Sequence, residues 1–552
     1  MLFVTLSRLS SVPYLTRGIP NRVGPFVRES TAAEESTAQP REGDDSVPLT
    51  STPGQSFIAP DERSLMGHPR GLFVLFSTEL WERFSFYSMR AFLTLYITKA
   101  MLLSKESANE IYGAYLGFVY AAPFIGGMLA DRILGQRRAI VIGGFLMAAA
   151  QFVLAAHAYQ LSTGLAPGEF ASKALFFLGL GLLAAGNGFF KPNISSIVGS
   201  LYKQGDARRD GAFTIFYMGI NIGAALAGIS GDIAENKGWY WGFLIAGIGM
   251  LIGQVIFFIG SGWLHGKGLP PEKKEGATAG RSLFGTGMIS LGVMLFVPLA
   301  AYMMANPSYV QNLAMIVAVP VLIYLIWEIT RAAREDAQRM IVILVLVSFS
   351  MMFWMFFELA GSALNLFTDE KVNRTVSLFG WEREFTASSL TASINPIFII
   401  LFAPIFAKLW VWLSKVNAEP SSPLKFALGL LQLGVGFFVM YLGAMQAGET
   451  GKCNLAFMVI GFMLHTTGEL CLSPVGLSTI TKLSPIRMVS TFMGVWFLSS
   501  AFGNVLGGWV GGRTEHAGFG PVFFWIAASC GGAALLLFLL VIPLKRMMHG
   551  VK

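Results

Sequence analysis

Fourteen stretches of this chain are apolar over roughly the 20 residues that a membrane-spanning helix needs. They lie at 71–98, 111–131, 138–160, 173–198, 211–234, 240–264, 283–304, 310–331, 340–367, 386–416, 424–446, 453–480, 487–512 and 520–546. Backbone amides and carbonyls in lipid must bond within the protein, so stretches of this length predict transmembrane helices. The chain of 552 residues is 54% hydrophobic and 13% charged, with a mean hydropathy of +0.59. A soluble domain carries about 25% charged residues. The expected class is an all-α polytopic membrane protein. Its 62 glycines suit helices that pack closely and slide.

Basic residues between the stretches set the expected orientation. The even-numbered connections and the C-terminus hold 21 Lys/Arg, and the odd-numbered connections hold 9. Both termini are therefore predicted to be cytoplasmic, in agreement with an even helix number. The net charge of +8 is explained by these loops and gives no sign of a nucleic-acid partner. Cys453, Cys471 and Cys530 are too few and too scattered for a disulfide framework or a thiolate metal site, and the six histidines show no ligand spacing. No metal or organic cofactor is expected.

The expected organisation has five parts. Residues 1–68 read as a disordered tail rich in Ser, Pro, Arg and Gly. Its first 28 residues have four arginines and no acid, which weakly matches a transit peptide, but an extended or misassigned start before Met66 is the preferred reading. Residues 69–265 hold six helices. Residues 266–338 hold a polar linker and two inserted helices. These helices carry no ionisable residue until Glu328, and they read as lipid-facing packing helices. Residues 339–546 hold six more helices, and 547–552 form a cytoplasmic tail.

The charges inside these stretches carry the functional information. A charge at the bilayer centre costs about 2.5–3.5 kcal/mol on insertion scales, so it is kept where it meets a partner or a watery path. Glu79, Glu82, Arg83, Tyr87 and Arg90 fall within an arc of about 140° on one helix face. That stripe reads as a substrate or proton pathway. Lys191 lies in the fourth stretch, within Gly186-Asn-Gly-Phe-Phe-Lys-Pro-Asn193, far from the cytoplasmic end near Tyr202. Snorkelling to the interface is the competing reading, but the polar neighbours Asn187, Asn193 and Ser195 favour an inward lysine. Asn221 alone reads equally as interhelical glue.

Glu358 and Glu469 are the deep acids of the second half, and each needs a cation or a proton. Trp354 stands one turn before Glu358. Asn395-Pro396 marks a kink, and Pro474 should bend the helix after Glu469. Trp496 and Ser500, one turn apart, read first as core packing. His465 reads as packing or as a hydrogen-bond partner of Glu469. Glu79, Glu82, Glu358 and Glu469 against Arg83, Arg90 and Lys191 leave one net negative charge. The cavity thus has room for an added proton or a ligand cation, and a zwitterion could span it, carboxylate toward the first half and amine toward Glu469.

Gly126-Gly-Met-Leu-Ala-Asp131-Arg-Ile-Leu-Gly135-Gln-Arg-Arg138 resembles the loop between helices 2 and 3 of the major facilitator superfamily, where Asp131 would bind a helix N-terminus or an arginine. Glu79-x-x-Glu82-Arg83-Phe-x-Phe86-Tyr87, Gly188-Phe-Phe-Lys191-Pro-Asn, Phe216-Tyr-x-x-Ile-Asn221-x-Gly, Phe353-Trp-Met-Phe-Phe-Glu358 and Gly468-Glu469-Leu-x-Leu-Ser-Pro474 resemble, in order, the signatures of the proton-dependent oligopeptide transporters. The resemblance covers roughly residues 66–546, and the two extra helices match the bacterial branch.

The resemblance implies a 14-helix major facilitator fold (6+2+6) in the inner (plasma) membrane, importing di- and tripeptides with protons as a monomer. Arg83, Arg90 and Lys191 would hold the peptide carboxylate, and Asn221, Asn395 and Glu469 its amino-terminal end. Tyr87, Tyr120, Trp354, Trp496 and Ser500 would line side-chain pockets. Glu79, Glu82 and Glu358, with Arg83, would carry the proton. Glu82 would pair with Arg83 or Lys191, and Glu358 with Lys191 or Arg90. The sequence departs from the family at Gly113, where some members have a histidine, and at Phe86 and Leu359. The glutamates then carry more of the proton step. Rival readings are a nitrate or small-anion carrier of the same family and a peptide sensor without flux. An enzyme is not expected, since no metal cluster, nucleophile elbow or cofactor loop is present.

Overall fold

The computed structural model describes residues 64–551 except 204, 205, 207, 271–278 and 379. The predicted tail up to residue 63 and most of the linker lie outside the described residues. Residues 64–69 form a small hairpin, β1 (Ser64–Leu65) with β2 (His68–Pro69). Pro69 caps the first helix, α1 (Arg70–Lys99).

Among the described residues, fourteen long helices follow one another. After α1 come α2 (Lys105–Leu129), α3 (Gln136–Ser162), α4 (Phe170–Ser200), α5 (Arg208–Lys237), α6 (Trp239–Gly260), α7 (Ala279–Ala305) and α8 (Pro307–Arg331). Next is α9 (Arg334–Phe357), with a short α10 (Ala363–Lys371) behind it. The second half continues with α11 (Ala387–Lys415), α12 (Ser422–Thr450), α13 (Leu455–Leu483) and α14 (Val489–Gly512), a one-turn α15 (Thr514–Ala517), and α16 (Phe519–Met547). Among the described residues, thirteen helices are long and apolar enough to cross a membrane. The fourteenth, α1, has the length but carries the charged stripe Glu79, Glu82, Arg83 and Arg90. The chain is an all-helical membrane protein.

Local chemistry sets several of the boundaries. Ser104, Thr386 and Asn454 each accept a backbone N–H of the turn they cap, at the starts of α2, α11 and α13. A π turn (Ala130–Leu134) ends α2, and Gly135, at φ +76°, reverses the chain into α3. Asp131 sits exposed in that turn and forms no ion pair among the described residues, unlike the pairing expected of it. The glycine before it has a clearer function: a Cβ on Gly126 would lie 2.0 Å from the Gly188 carbonyl oxygen, so α2 and α4 touch backbone to backbone.

The ninth stretch differs most from expectation. Instead of one helix over 340–367, α9 ends at Phe357, a 3-10 turn covers Glu358–Gly361, and α10 starts at Ala363. The cause is tertiary. A Cβ at Gly361 would meet the Tyr112 hydroxyl at 1.9 Å, and Thr94 Oγ1 donates to the Gly361 carbonyl at 2.6 Å. Conversely, Pro474 does not interrupt α13. Three short strand pairs break the all-helical pattern outside the spans. They are β1–β2, the parallel β3 (Val372–Asn373) with β6 (Cys453–Asn454), and the hairpin β4 (Thr375–Leu378) with β5 (Trp381–Glu384).

Buried apolar side chains gather in two large clusters. One runs mainly from Leu72 to Val310 and the other mainly from Leu325 to Met548. They meet along two seams of small residues, α2 against α14 and α5 against α11. A Cβ at Gly113 would lie 2.6 Å from the Asn504 carbonyl oxygen, and one at Gly231 would lie 2.7 Å from Ser388 Cβ. Helices α7 and α8 sit outside these seams with most large side chains exposed.

Candidate functional site

The charged stripe of α1 is buried, so each charge must find compensation. Arg83 Nε lies 2.7 Å from Glu79 Oε1 and 3.0 Å from Glu82 Oε2. The first contact follows from their i, i+4 spacing. Asn187 Nδ2, from α4, donates to Glu82 Oε1 at 3.4 Å. Oε2 of Glu79 and Oε2 of Glu82 accept no hydrogen bond among the described residues.

Two turns along α1, Arg90 reaches across to the second half and pairs with Glu358. The break after Phe357 is what presents this carboxylate at a helix end. Arg90 Nε also donates to the Tyr112 hydroxyl at 2.5 Å, and its guanidinium lies 5.5 Å from the Tyr87 ring. Tyr120 donates its hydroxyl to Glu358 Oε1 at 3.1 Å. Trp354, one turn before Glu358, packs edge-on against Phe357 at 5.3 Å.

Lys191 is different. Its ammonium lies 4.7 Å from the centre of the Tyr120 ring and forms no ion pair among the described residues. It is near enough to Glu82, Glu79 and Glu358 to feel their charges. Of the pairings left open by the sequence, the structure has Glu82 with Arg83 and Glu358 with Arg90. Tyr120 joins the two sets, its ring under Lys191 and its hydroxyl on Glu358.

Glu469 on α13 is the counterpart. It is buried, meets no cation within ion-pair distance among the described residues, and accepts from Asn395 Nδ2 at 3.1 Å. The same amide donates to Thr466 Oγ1 at 3.0 Å.

The remaining expected residues are less engaged. Asn221 is buried and donates to the Tyr217 carbonyl one turn back, at 3.0 Å. Trp496 is buried against Gly476, where a Cβ would meet the indole at 2.4 Å. Ser500 donates to the Trp496 carbonyl at 3.4 Å. His465 forms no hydrogen bond with Glu469. It stacks on Phe437 at 4.7 Å, and its Nε2 has no partner among the described residues.

Sequence reasoning missed three members of the network: Tyr112, Asn187 as a partner of Glu82, and Thr466. Tyr112 stands eight residues before Tyr120, within about 80° of the same helix face. That spacing was the available signal. Gly113 beside it explains one departure from the family pattern. The position lies in the α2–α14 seam, where a histidine side chain would collide with the Asn504 backbone.

At one end of the bundle, the end with the α1–α2 turn, ion pairs join the two halves. Lys99 pairs with Asp369 at 2.7 Å, Lys105 with Glu370 at 2.7 Å, and Asp232 with Arg383 at 3.2 Å. Glu235 Oε1 accepts the Ser388 N–H at 2.7 Å, and Glu106 contacts His516 at 3.1 Å. At the other end Arg208–Asp206, Arg339–Glu335 and Lys425–Glu419 are local pairs. The interior charges are thus closed off on the first side.

A helical membrane bundle with partnered and unpartnered charges held at mid-depth between two halves defines a secondary transporter. The POT family profile matches residues 137–526, and the chain belongs to that family. It is 36% identical over 525 residues to the peptide transporter YePEPT of Yersinia enterocolitica, covering 89% of this chain and 98% of that one. It is 31% identical to a di-/tripeptide transporter of Lactococcus lactis, covering 89% and 99%. Among solved structures it resembles the peptide transporter POT in complex with sulfate (34% identity, TM-score 0.74, 89% and 98% covered). It also resembles a POT family transporter in complex with 5-aminolevulinic acid (28% identity, TM-score 0.76, 88% and 98% covered).

Proposed function

We propose that this chain is a proton-coupled symporter that imports di- and tripeptides by alternating access. One observation carries the reading. Once Arg83 and Arg90 are matched with carboxylates, Lys191 and Glu469 remain without ionic partners among the described residues. A free peptide is a zwitterion with a carboxylate for Lys191 and an ammonium for Glu469. Asn395 already orients the Glu469 carboxylate, and Tyr120 holds the lysine, so little reorganisation accompanies binding. Tyr87, Trp354 and the neighbouring aromatics supply apolar walls for side chains. Relatives of similar length are described as peptide and di-/tripeptide transporters, which agrees with this substrate class.

Protons enter at the carboxylates. A proton on Glu82 would neutralise it and loosen its grip on Arg83. A proton on Glu358 would release Arg90, freeing that guanidinium for the peptide carboxylate and removing the ionic tie between α1 and the α9–α10 break. Proton and peptide then bias the same conformational change, as linkage demands. In this scheme residues 69–265 and 339–546 rock against each other, both termini are cytoplasmic, and the α1–α2 end faces outward. The present structure is then closed outside. We assign the protein to the bacterial inner membrane as a monomer.

The test is uptake of labelled dialanine into proteoliposomes with and without an inward proton gradient. Accumulation should require the gradient and disappear with an uncoupler. Glu82→Gln should lose gradient-driven accumulation while keeping peptide exchange. Undiminished accumulation in that variant would remove Glu82 from the proton step, and no peptide flux in folded wild-type protein would overturn the reading.

A further inference from the structure

The second inserted helix, α8, leaves a cavity that the transport scheme does not use. It measures about 100 Å³ and lies under α8, over the seam between α2 and α14. Phe118 and Ala121 of α2, Leu313 and Ala314 of α8, and Leu498 and Phe502 of α14 are among the side chains that line it. The whole lining is apolar. The far side of α8 is exposed, with Met315 at 64% and Ile316 at 68%, and in a membrane protein that side meets lipid.

α8 is fastened on both sides of the seam. Gln311 Nε2 donates to Glu110 Oε1 on α2 at 3.4 Å. At its other end Glu328 pairs with Arg487, just before α14, at 3.1 Å. Under this strap the helices are already in close contact, since a Cβ on Gly117 would lie 2.7 Å from Val505 Cγ2. The seam cannot collapse further to fill the space. An empty apolar void forfeits dispersion contacts on every wall, and water finds no polar partner there. The medium around this helix is hydrocarbon.

We propose that this cavity binds one acyl chain of a bilayer lipid, inserted beneath α8 against the α2–α14 seam. An unbranched chain matches a narrow apolar space that opens toward lipid. Under the transport scheme above, on which this clause rests, the seam must shift when the halves rock. A chain seated there would favour the closed arrangement and make turnover sensitive to chain occupancy.

The experiment places the full chain in dioleoylphosphatidylcholine vesicles doped with a phosphatidylcholine carrying a photoreactive diazirine on one acyl chain. After irradiation, adducts are assigned to single residues by mass spectrometry. We expect Ala121, Ala314 and Leu498 to be labelled several-fold more than the outward-facing Ile316 and Ile323. Ala314→Trp, which fills the cavity, should lower labelling at Ala121 and Leu498 several-fold and leave Ile323 unchanged. Ala314→Leu gives a smaller drop in the same direction if the larger residue impairs folding. Equal labelling of both faces, or no response to the filling variants, would show only ordinary surrounding lipid and overturn the proposal. Labelling does not depend on peptide flux, so its failure is separate from failure of the transport reading.

Discussion

The two arginines of α1 and the lysine of α4 are all interior cations, yet they are provided for differently. Arg83 sits between two carboxylates, and Arg90 has a carboxylate and a phenol. Lys191 has a tyrosine ring, and Glu469 has an amide. In the proposed scheme the paired arginines respond to protonation of their carboxylates, whereas Lys191 and Glu469 are left for a ligand. On that reading the polarity of the cavity lies in which charges were left incomplete, and not in how many there are.

That contrast can be broken experimentally. Its largest consequence concerns Arg83. Arg83→Met would leave Glu79 and Glu82 buried without a cation, a change that costs about 3–5 kcal/mol in comparable sites. We expect loss of monodisperse protein on size-exclusion chromatography, with recovery when Glu79→Gln and Glu82→Gln are added. A well-folded single variant would erase the distinction. Lys191→Gln should behave oppositely. It should fold normally yet lose dialanine uptake by about 100-fold, the scale of removing one partner of a buried charge contact. Glu469→Gln should weaken competition by dialanine by about tenfold, while N-acetyl-dialanine, which has no ammonium, changes little. Equal effects on both competitors would sink the assignment of Glu469 to the amino end. Smallest is Arg383→Ala, which removes a half-exposed pair with Asp232 and should change stability by no more than about 1 kcal/mol in a thermal melt.

Much of this was legible in the sequence, and the illegible parts share a cause. α1 was expected over 71–98 and spans Arg70–Lys99, because apolar length and flanking Pro69 and Lys99 are local signals. The charges that had to face inward could be named for the same reason, since lipid excludes them. The break at Glu358–Gly361 could not be read, because neither proline nor a polar run marks it. It depends on Thr94, 267 residues away in the chain from Gly361, and on Tyr112, which also lies far from it in sequence. Pro474 shows the converse, a strong local signal over which the helix Leu455–Leu483 nevertheless runs on without a break. The β4–β5 hairpin carries a local signal in the sequence, Thr375-Val-Ser-Leu and Trp-Glu-Arg-Glu on either side of Gly380, between two apolar stretches that dominate the pattern around it. Which acid pairs with which base was left open by spacing alone and required the fold.

The seam at Gly113 has one further consequence. There the α2 backbone lies against Asn504 and Gly508 of α14 with no side chain between them. A file of hydrogen-bonded water needs width, and two backbones in contact offer none. In electrical terms a contact this close is an insulating one, and Asn504 and Gly508 line the same small pocket as Glu358. A larger residue at Gly113 would wedge the layer apart. The cost would appear as leak, a proton current that flows with no peptide beside it.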